Sequence, residues 1–310
     1  MSAVPHLRQP PTILATCCVP WKEDFSFAED IFRRSVRLLA ENLTPDLYVF
    51  GTAGEGYAVT DAQFAQVCRA FWAETHRAGA RPMVGAISLS LGTIIERIAG
   101  ARDMGFRRFQ ISLPSWGALN DTELRRFFAE VCGRFTDCEF LHYNLLRTKR
   151  LVTAAEYAEL AARHPNLVAT KHGTDSPAMV ETLLRQATGL THFITEKGFA
   201  HAALLGSCGL LISVGSMNFA TGQALFAAGG RQDAAALARF AAEASTIVEI
   251  LLKHAQSVTH MDGAYDKLFC RVHDPDFPLR LLPPYSAITD SMFESIAREI
   301  GKRTPSWLPN

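Results

Sequence analysis

Two lysines stand where the sequence could place a nucleophile. Of the chain's seven lysines, only Lys171 and Lys197 sit at the C-terminal end of a run that reads as a strand. A lysine amine can attack a carbonyl to form an imine, but its free pKa of about 10.4 leaves few neutral amines at pH 7. Burial after Leu167–Thr170 would lower the pKa of Lys171, because desolvation penalises the ammonium form. Glu196 would keep Lys197 charged, so Lys171 is the better candidate, and a salt bridge at the protein surface is its alternative role.

A tyrosine and a glycine-rich loop follow two other apolar runs. Tyr143 carries a phenol that can exchange a proton with a substrate oxygen, although packing with a solvated hydroxyl is the commoner role. The segment Gly51–Gly56 contains three glycines, which let backbone N–H groups converge on a carboxylate. A tight turn is the alternative interpretation of this loop.

Eight apolar runs recur along the chain, and a stretch with helical spacing follows each of them. Helix starts are marked by the capping patterns Thr60–Gln63, Asn120–Glu123 and Thr153–Glu156. Eight such units favour a (β/α)8 TIM barrel over an open sheet, and a barrel gathers its active site at the carboxyl ends of the strands. The predicted strands are Thr12–Thr16, Leu47–Phe50, Pro82–Ala86, Arg108–Ser112, Glu139–His142, Leu167–Thr170, His192–Thr195 and Leu210–Val214.

The last third of the chain is predicted to be helical. Gln232–His254 reads as one long Ala-rich helix, and Asp262–Cys270 and Asp290–Gly301 read as two more. We therefore expect a barrel over residues 1–225 and a C-terminal helical segment over residues 226–310.

Composition narrows the class of partner. The 31 basic residues balance 31 acidic ones, so nothing favours nucleic acid or an anionic membrane. The seven cysteines are scattered without a C-x-x-C pair, and no leader pattern or long apolar stretch is present. These observations predict a cytoplasmic protein that acts on a small molecule.

The candidate residues, taken in order, resemble a known family. Gly51-Thr52-Ala53-Gly54-Glu55, Tyr143-Asn144, Lys171 and Gly209–Val214 are similar to motifs of the dihydrodipicolinate synthase and N-acetylneuraminate lyase family. The resemblance covers most of residues 10 to 300. It implies an eight-stranded barrel with a C-terminal helical segment, assembly as a homodimer or homotetramer, and Schiff-base aldolase chemistry without a metal or organic cofactor.

The resemblance also implies a role for five residues. Lys171 would form an imine with a 2-oxo acid, typically pyruvate, and Tyr143 would shuttle protons. Thr52 would link Tyr143 to its proton relay, and the backbone at Thr52 and Ala53 would hold the carboxylate. Ile212 would face the bound oxo acid.

Three positions depart from the family pattern. Ala53 stands where the family commonly has a second hydroxyl residue, and Trp116 stands where synthases have a relay tyrosine that completes the neighbouring subunit's site. Arg147, the candidate for binding a second substrate carboxylate, comes one residue early. An indole nitrogen can donate a hydrogen bond but cannot relay a proton. We therefore expect a poor dihydrodipicolinate synthase.

The leading hypothesis is a Schiff-base lyase, an aldolase or dehydratase acting on pyruvate or a sugar-derived 2-oxo acid. One alternative is a metal-dependent barrel hydrolase that uses His142, His172, Glu196 and His201. Against this alternative, His142 precedes Tyr143 in one strand, and successive strand residues point to opposite sides. A barrel that binds a 2-oxo acid without catalysis is the other alternative.

Overall fold

The structure is a computed structural model that describes residues 7–174, 176–255 and 261–309. Within them, eight parallel strands pair in chain order and close into a barrel, which confirms the predicted fold class. Each strand lies within two residues of its predicted position. The strands are β1 Ile13–Thr16, β2 Asp46–Val49, β3 Arg81–Gly85, β4 Arg108–Ile111, β5 Glu139–Asn144, β6 Leu167–His172, β7 Thr191–Thr195 and β8 Gly209–Ile212.

Strands β5 and β6 continue two residues further than the apolar pattern predicts. Tyr143 pairs with Lys171, and Asn144 pairs with His172. The polar residues at these strand ends therefore belong to the sheet rather than to the loops that follow. Because Tyr143 and Lys171 are partners in register, their side chains leave the sheet on the same face and lie side by side.

Helices follow the strands around the outside of the barrel. Thr60, Asn120 and Thr153 each cap a helix, and the residue three positions later returns the bond to the backbone, which confirms the three predicted capping boxes. The helices are α1 Glu29–Asn42, α2 Asp61–Arg77, α3 Leu91–Asp103, α4 Asp121–Cys132, α5 Ala154–Arg163, α6 Pro177–Gln186, α7 Glu196–Leu205, α8 Phe219–Gly230, α9 Ala234–Ala255, α10 Asp262–His273 and α11 Asp290–Arg303.

The three predicted C-terminal helices are present as α9, α10 and α11, and α10 and α11 each run slightly further than predicted. Residue 225, where we expect the barrel to end, lies inside α8, the helix that follows the eighth strand. Helix α9 packs against α7 and α8, and α11 packs against α9. In the part of the chain that is described, no helix is long and apolar enough to cross a bilayer.

Two apolar layers stabilise the barrel. One cluster fills its interior and consists of Leu14, Tyr48, Met83, Leu141, Val168, Ala169, Phe193 and Leu211. A larger cluster fills the space between the sheet and the helices. Tyr48 is the member of the interior cluster that carries a polar group toward Lys171.

Candidate active site

The amine of Lys171 lies inside the barrel, and its side chain is only 2% exposed. Its Nζ donates hydrogen bonds to Tyr48 Oη at 2.9 Å and to Gln110 Oε1 at 3.0 Å. Burial lowers the pKa of Lys171 to about 7, while the carboxylates of Asp262 and Asp266 act in the opposite direction. The amine therefore exchanges its proton near neutral pH, as a lysine nucleophile requires.

Tyr143 lies directly beside this amine. The centre of its ring is 3.9 Å from Lys171 Nζ, and the side chain is buried. Burial raises the pKa of Tyr143 to about 12, against a smaller lowering by a hydrogen bond with the Thr52 side chain. The structure thus brings Lys171, Tyr143 and Thr52 together, and the phenol carries its proton at neutral pH.

The loop after β2 approaches the amine very closely. A Cβ atom at Gly51 would lie 3.2 Å from Lys171 Nζ and 2.6 Å from Tyr48 Cε2. Any other residue at position 51 would therefore displace the ring or the amine. This contact, rather than a tight turn alone, explains why a glycine stands at the start of the loop.

A buried ion pair fastens the same loop to α10. The carboxylate of Glu55 pairs with Lys267 Nζ, and both side chains are fully buried. Glu55 also accepts hydrogen bonds from Trp21 Nε1 at 2.9 Å and from the backbone N–H of Leu282 at 2.7 Å. Because these donors come from three separate segments, Glu55 fixes the loop between the barrel and the C-terminal helices.

Helix α10 brings two acids to the site that the sequence analysis did not identify. Asp266 is buried and accepts a hydrogen bond from Ser213 Oγ at 3.1 Å, and burial raises its pKa to about 7. Asp262, at the start of the helix, forms an ion pair of 3.0 Å with Arg147. Since Arg147 already has this partner, its charge is compensated before any substrate binds.

The loop after β2 also touches this helix. A Cβ atom at Gly263 would lie 2.9 Å from the carbonyl oxygen of Ala53. The start of α10 therefore covers Ala53, which is itself buried. The sequence pattern of α10 predicts a helix but contains no signal for this contact.

The side chain of Ile212, the residue expected to face the oxo acid, does not enter the barrel interior. Its Cδ1 is 2.9 Å from the position that a Cβ atom would take at Gly215 and 2.5 Å from the corresponding position at Gly222. The side chain therefore packs against α8. Leu211 points into the barrel instead, because successive strand residues alternate between the two faces. Only the backbone of Ile212 can therefore contact a substrate in the barrel interior.

The segment after β8 is held by a buried glutamate. Glu196, the first residue of α7, accepts hydrogen bonds from the backbone N–H groups of Ser213 at 2.6 Å and Gly215 at 3.0 Å. Lys197 is exposed on the same helix, outside the barrel interior. Trp116 is 83% exposed on the loop after β4, and its carbonyl oxygen accepts a hydrogen bond from Lys149.

The histidines considered as metal ligands do not converge. His142 and His172 lie on the outer face of the sheet, where His142 Nδ1 contacts Tyr157 Oη at 2.6 Å and His172 Nε2 contacts Thr170 Oγ1 at 2.7 Å. Burial lowers the pKa of His142 to about 3. Among the residues that the structure describes, no three His, Cys, Asp or Glu side chains are arranged to hold a metal ion.

Sequence reasoning missed four residues of the site: Tyr48, Gln110, Asp262 and Asp266. Gln110 had a usable signal, because it is a single amide inside the apolar run Phe109–Ile111. A buried polar side chain in a strand needs a partner, and this requirement could have pointed to Lys171. The aspartates lie about 90 residues beyond Lys171 in the chain and carry no such signal.

Comparison with known sequences points to one family. A sequence model of the dihydrodipicolinate synthetase family matches residues 9–267. A protein of Rhodococcus jostii (strain RHA1), named a probable 5-dehydro-4-deoxyglucarate dehydratase, is 26% identical over 178 residues, 57% of this chain and 56% of that protein. A protein of Thermococcus onnurineus (strain NA1), named an uncharacterized DapA-like lyase, is 23% identical over 180 residues, 57% of this chain and 59% of that protein. The matches thus span just over half the length of these curated relatives.

Solved structures share the fold over nearly the whole chain. YagE from E. coli K12, a prophage protein of the dihydrodipicolinic acid synthase family solved in complex with pyruvate, has a TM-score of 0.83 at 17% identity, with 94% of this chain and 98% of YagE covered. CdNal from Clostridium difficile, solved with mannosamine, has a TM-score of 0.81 at 13% identity, with the same two coverages. These similarities confirm the barrel with its C-terminal helices.

Proposed function

The chain belongs to the dihydrodipicolinate synthetase family, and we propose that it is a lyase that forms an imine between Lys171 and a 2-oxo acid such as pyruvate. The observation that carries the proposal is the buried amine of Lys171, with its pKa of about 7, beside the ring of Tyr143. At neutral pH about half of such amines are neutral, against roughly one in a few thousand for a free lysine. The nucleophile is thus available without a metal or organic cofactor.

In the proposed reaction, the Nζ lone pair bonds to the C2 carbonyl carbon and the carbonyl π electrons move to oxygen. One proton from Nζ and one further proton reach this oxygen, which leaves as water, and a protonated imine remains. Tyr143 is the proton carrier, because its neutral phenol lies beside Nζ and hydrogen-bonds with Thr52. The roles of Tyr143 and Thr52 implied by the family resemblance are therefore compatible with their positions.

The protonated imine then accepts electrons from a neighbouring bond. Loss of a proton from C3, or cleavage of the C3–C4 bond, gives an enamine on Lys171. Aldol cleavage, aldol condensation and dehydration all use this intermediate. The relatives are named as a dehydratase and a lyase, so pyruvate and sugar-derived 2-oxo acids are the substrates to test first.

The substrate carboxylate is proposed to bind the backbone at Thr52 and Ala53. Arg147 and Trp116 are proposed to border the outer part of the substrate. Because Arg147 is paired with Asp262, a second substrate carboxylate would have to compete with that aspartate. Both this competition and the absence of a hydroxyl at Ala53 should weaken the binding of aspartate semialdehyde. The coupled condensation assay of pyruvate with aspartate semialdehyde measures the resulting activity.

Incubation of the protein with pyruvate and borohydride, followed by peptide mass spectrometry, tests the imine. We expect a reduced adduct on Lys171 in the wild type, the same adduct in a Lys197→Ala control, and none in Lys171→Ala. An adduct that maps to Lys197 contradicts the assignment. Chelator-sensitive hydrolysis would favour the metal-dependent alternative, and pyruvate binding without an adduct or turnover would favour the non-catalytic barrel.

Two further proposals concern the setting of the enzyme. We propose assembly as a homodimer or homotetramer, which agrees with the exposure of Trp116 and Leu146 on neighbouring loops. Sedimentation equilibrium measures the mass, and a monomer at micromolar concentration contradicts this proposal. We also propose a cytoplasmic location, in keeping with the free thiols of all seven cysteines.

A further inference from the structure

Two uncharged side chains lie beneath the amine of Lys171, and no motif of the sequence had singled them out. Tyr48 comes from β2 and Gln110 from β4, and both are buried in the barrel. We propose that Tyr48 and Gln110 form an amine cradle, which orients the neutral Lys171 amine for attack and then holds the N–H of the imine. This inference rests on the proposed function and adds two residues that contact the reacting nitrogen.

The geometry assigns each hydrogen of the neutral amine to a partner. A neutral lysine has two N–H groups and one lone pair. Tyr48 Oη and Gln110 Oε1 lie 2.9 and 3.0 Å from Nζ and accept these two hydrogens. Since nitrogen is tetrahedral, the lone pair takes the remaining direction, away from the cradle. The nucleophile is therefore oriented before the substrate arrives.

The cradle also leaves the neutral form of the amine accessible near pH 7. A carboxylate at 3 Å would favour the ammonium ion, whereas a phenol and an amide carry no net charge. The chain contains a direct comparison, because the other fully buried lysine, Lys267, contacts the carboxylate of Glu55. Tyr48 and Gln110 thus satisfy the hydrogen-bonding needs of Lys171 without fixing its proton.

Gln110 has one further group to offer. Its Oε1 must face Lys171, since the amine is the donor, and this leaves Nε2 as a donor on the other side of the amide. Nε2 is buried and has no hydrogen-bond partner among the described residues. Buried donors of this kind are uncommon in folded proteins. A Cβ atom at Gly51 would lie 3.5 Å from Nε2, so a substrate oxygen held at the loop after β2 would satisfy it.

The cradle keeps a function after the amine has reacted. When the Nζ lone pair bonds to C2, one Nζ hydrogen passes to the departing oxygen, a second proton completes water, and the imine nitrogen keeps one hydrogen. Tyr48 Oη or Gln110 Oε1 accepts this remaining N–H. The acceptor thereby stabilises the positive charge that makes the imine an electron sink.

The pH profile of pyruvate trapping on the full-length chain tests the cradle. In Gln110→Glu, a carboxylate would replace the amide at 3.0 Å, so the pH at which trapping rises should increase by at least about one unit. Gln110→Leu and Tyr48→Phe each remove a hydrogen-bond acceptor. In these variants the rate of trapping should rise at a lower pH, and its plateau should be lower by about tenfold or more. Met83→Leu is the matched control, because Met83 pairs with Tyr48 in the barrel interior without contacting the amine.

The pH profile distinguishes the cradle from a merely structural role. Damage to the fold would not raise the pH at which trapping begins in Gln110→Glu and lower it in Gln110→Leu. Circular dichroism identifies any variant that does not fold, and the remaining variants then decide the matter. The cradle is overturned if Gln110→Glu keeps the wild-type profile, or if Gln110→Leu and Tyr48→Phe match Met83→Leu. If the wild type itself forms no adduct with any 2-oxo acid, the proposed function fails instead.

Reductive methylation with formaldehyde provides a measurement that needs no 2-oxo acid. The rate at which Lys171 is methylated reports its neutral fraction at each pH, and mass spectrometry separates it from the exposed lysines. We expect the rate to rise near pH 7 in the wild type and at higher pH in Gln110→Glu. Identical profiles in the two proteins would overturn the cradle even if pyruvate is trapped.

Discussion

Lys171 and Lys267 are both buried, at 2% and 0% exposure, but their surroundings differ in charge. Lys171 is the penultimate residue of β6 and donates to the uncharged side chains of Tyr48 and Gln110. Lys267 lies on α10, pairs with the carboxylate of Glu55 and donates to the carbonyl oxygen of Arg280. Burial lowers the pKa of both lysines, and only for Lys267 does a bonded carboxylate raise it again.

The comparison teaches that burial alone does not make a lysine reactive. A carboxylate partner stabilises the ammonium form and uses the charge to join two segments, as the pair of Glu55 and Lys267 joins the loop to α10. Neutral partners leave the proton free to leave near pH 7. Lys267 therefore joins the loop after β2 to α10, whereas Lys171 can lose its proton and act as the proposed nucleophile.

The largest expected effect comes from removing the reactive lysine. Lys171→Ala should reduce borohydride trapping of pyruvate by more than about 10³-fold, because no other buried amine with neutral partners is present in the described residues. The circular dichroism spectrum should remain that of the wild type. Peptide mass spectrometry checks the site of labelling, and an adduct that persists in this variant would remove Lys171 from the mechanism.

Tyr143→Phe tests the group beside the reactive amine. Loss of a proton-transfer group usually slows turnover by about 10²- to 10⁴-fold. We expect a smaller effect on trapping, because trapping includes the proton transfers of imine formation but not those of the later steps. Steady-state rates on the turned-over 2-oxo acid measure the first effect, and the trapping rate measures the second. Wild-type turnover in Tyr143→Phe would exclude the phenol as the proton carrier.

The positions of Lys171 and Tyr143 at neighbouring strand ends could be predicted from the sequence, but the partner of Lys267 could not. Lys171 and Tyr143 were candidates because barrel enzymes place their active sites at strand ends, and strands have a local apolar signature. The partner of Lys267 could not, because Glu55 lies 212 positions away and only the folded chain brings them together. The expectation that Ile212 faces the oxo acid came from the resemblance, whereas the alternation of β8 places the Ile212 side chain outside the sheet and the Leu211 side chain inside the barrel.

Lys267→Met tests the structural lysine. The variant leaves the carboxylate of Glu55 buried without its cation, so we expect the free energy of unfolding to fall by about 3–5 kcal/mol. Adding Glu55→Gln should restore much of this loss, because the unpaired charge is then gone. Urea unfolding followed by circular dichroism measures both variants. Equal stability of the wild type and Lys267→Met would show that the pair does not hold the loop to α10.

The smallest expected effect concerns Asp266, the acid that modifies the charge around Lys171. Burial raises the pKa of Asp266 to about 7, and its negative charge raises the pKa of Lys171 in turn. Asp266→Asn keeps an oxygen for the hydrogen bond from Ser213 Oγ but removes the charge. The pH at which trapping rises should therefore decrease, by up to about one unit. Asp274→Asn, which removes an aspartate paired with Arg34, should leave the profile unchanged.

The same substitution should change stability in a defined pH window. Between about pH 4, the pKa of an unfolded aspartate, and about pH 7, the folded protein holds more protons on Asp266 than the unfolded chain does. Its contribution therefore lowers the free energy of unfolding as the pH rises through this window, and the cost is complete above pH 7. Because Asn does not ionise, Asp266→Asn should match the wild type at pH 4 and exceed it at pH 8. Urea unfolding at both pH values measures the difference, and a stability gain that is the same at both would mean that ionisation of Asp266 is not its cause.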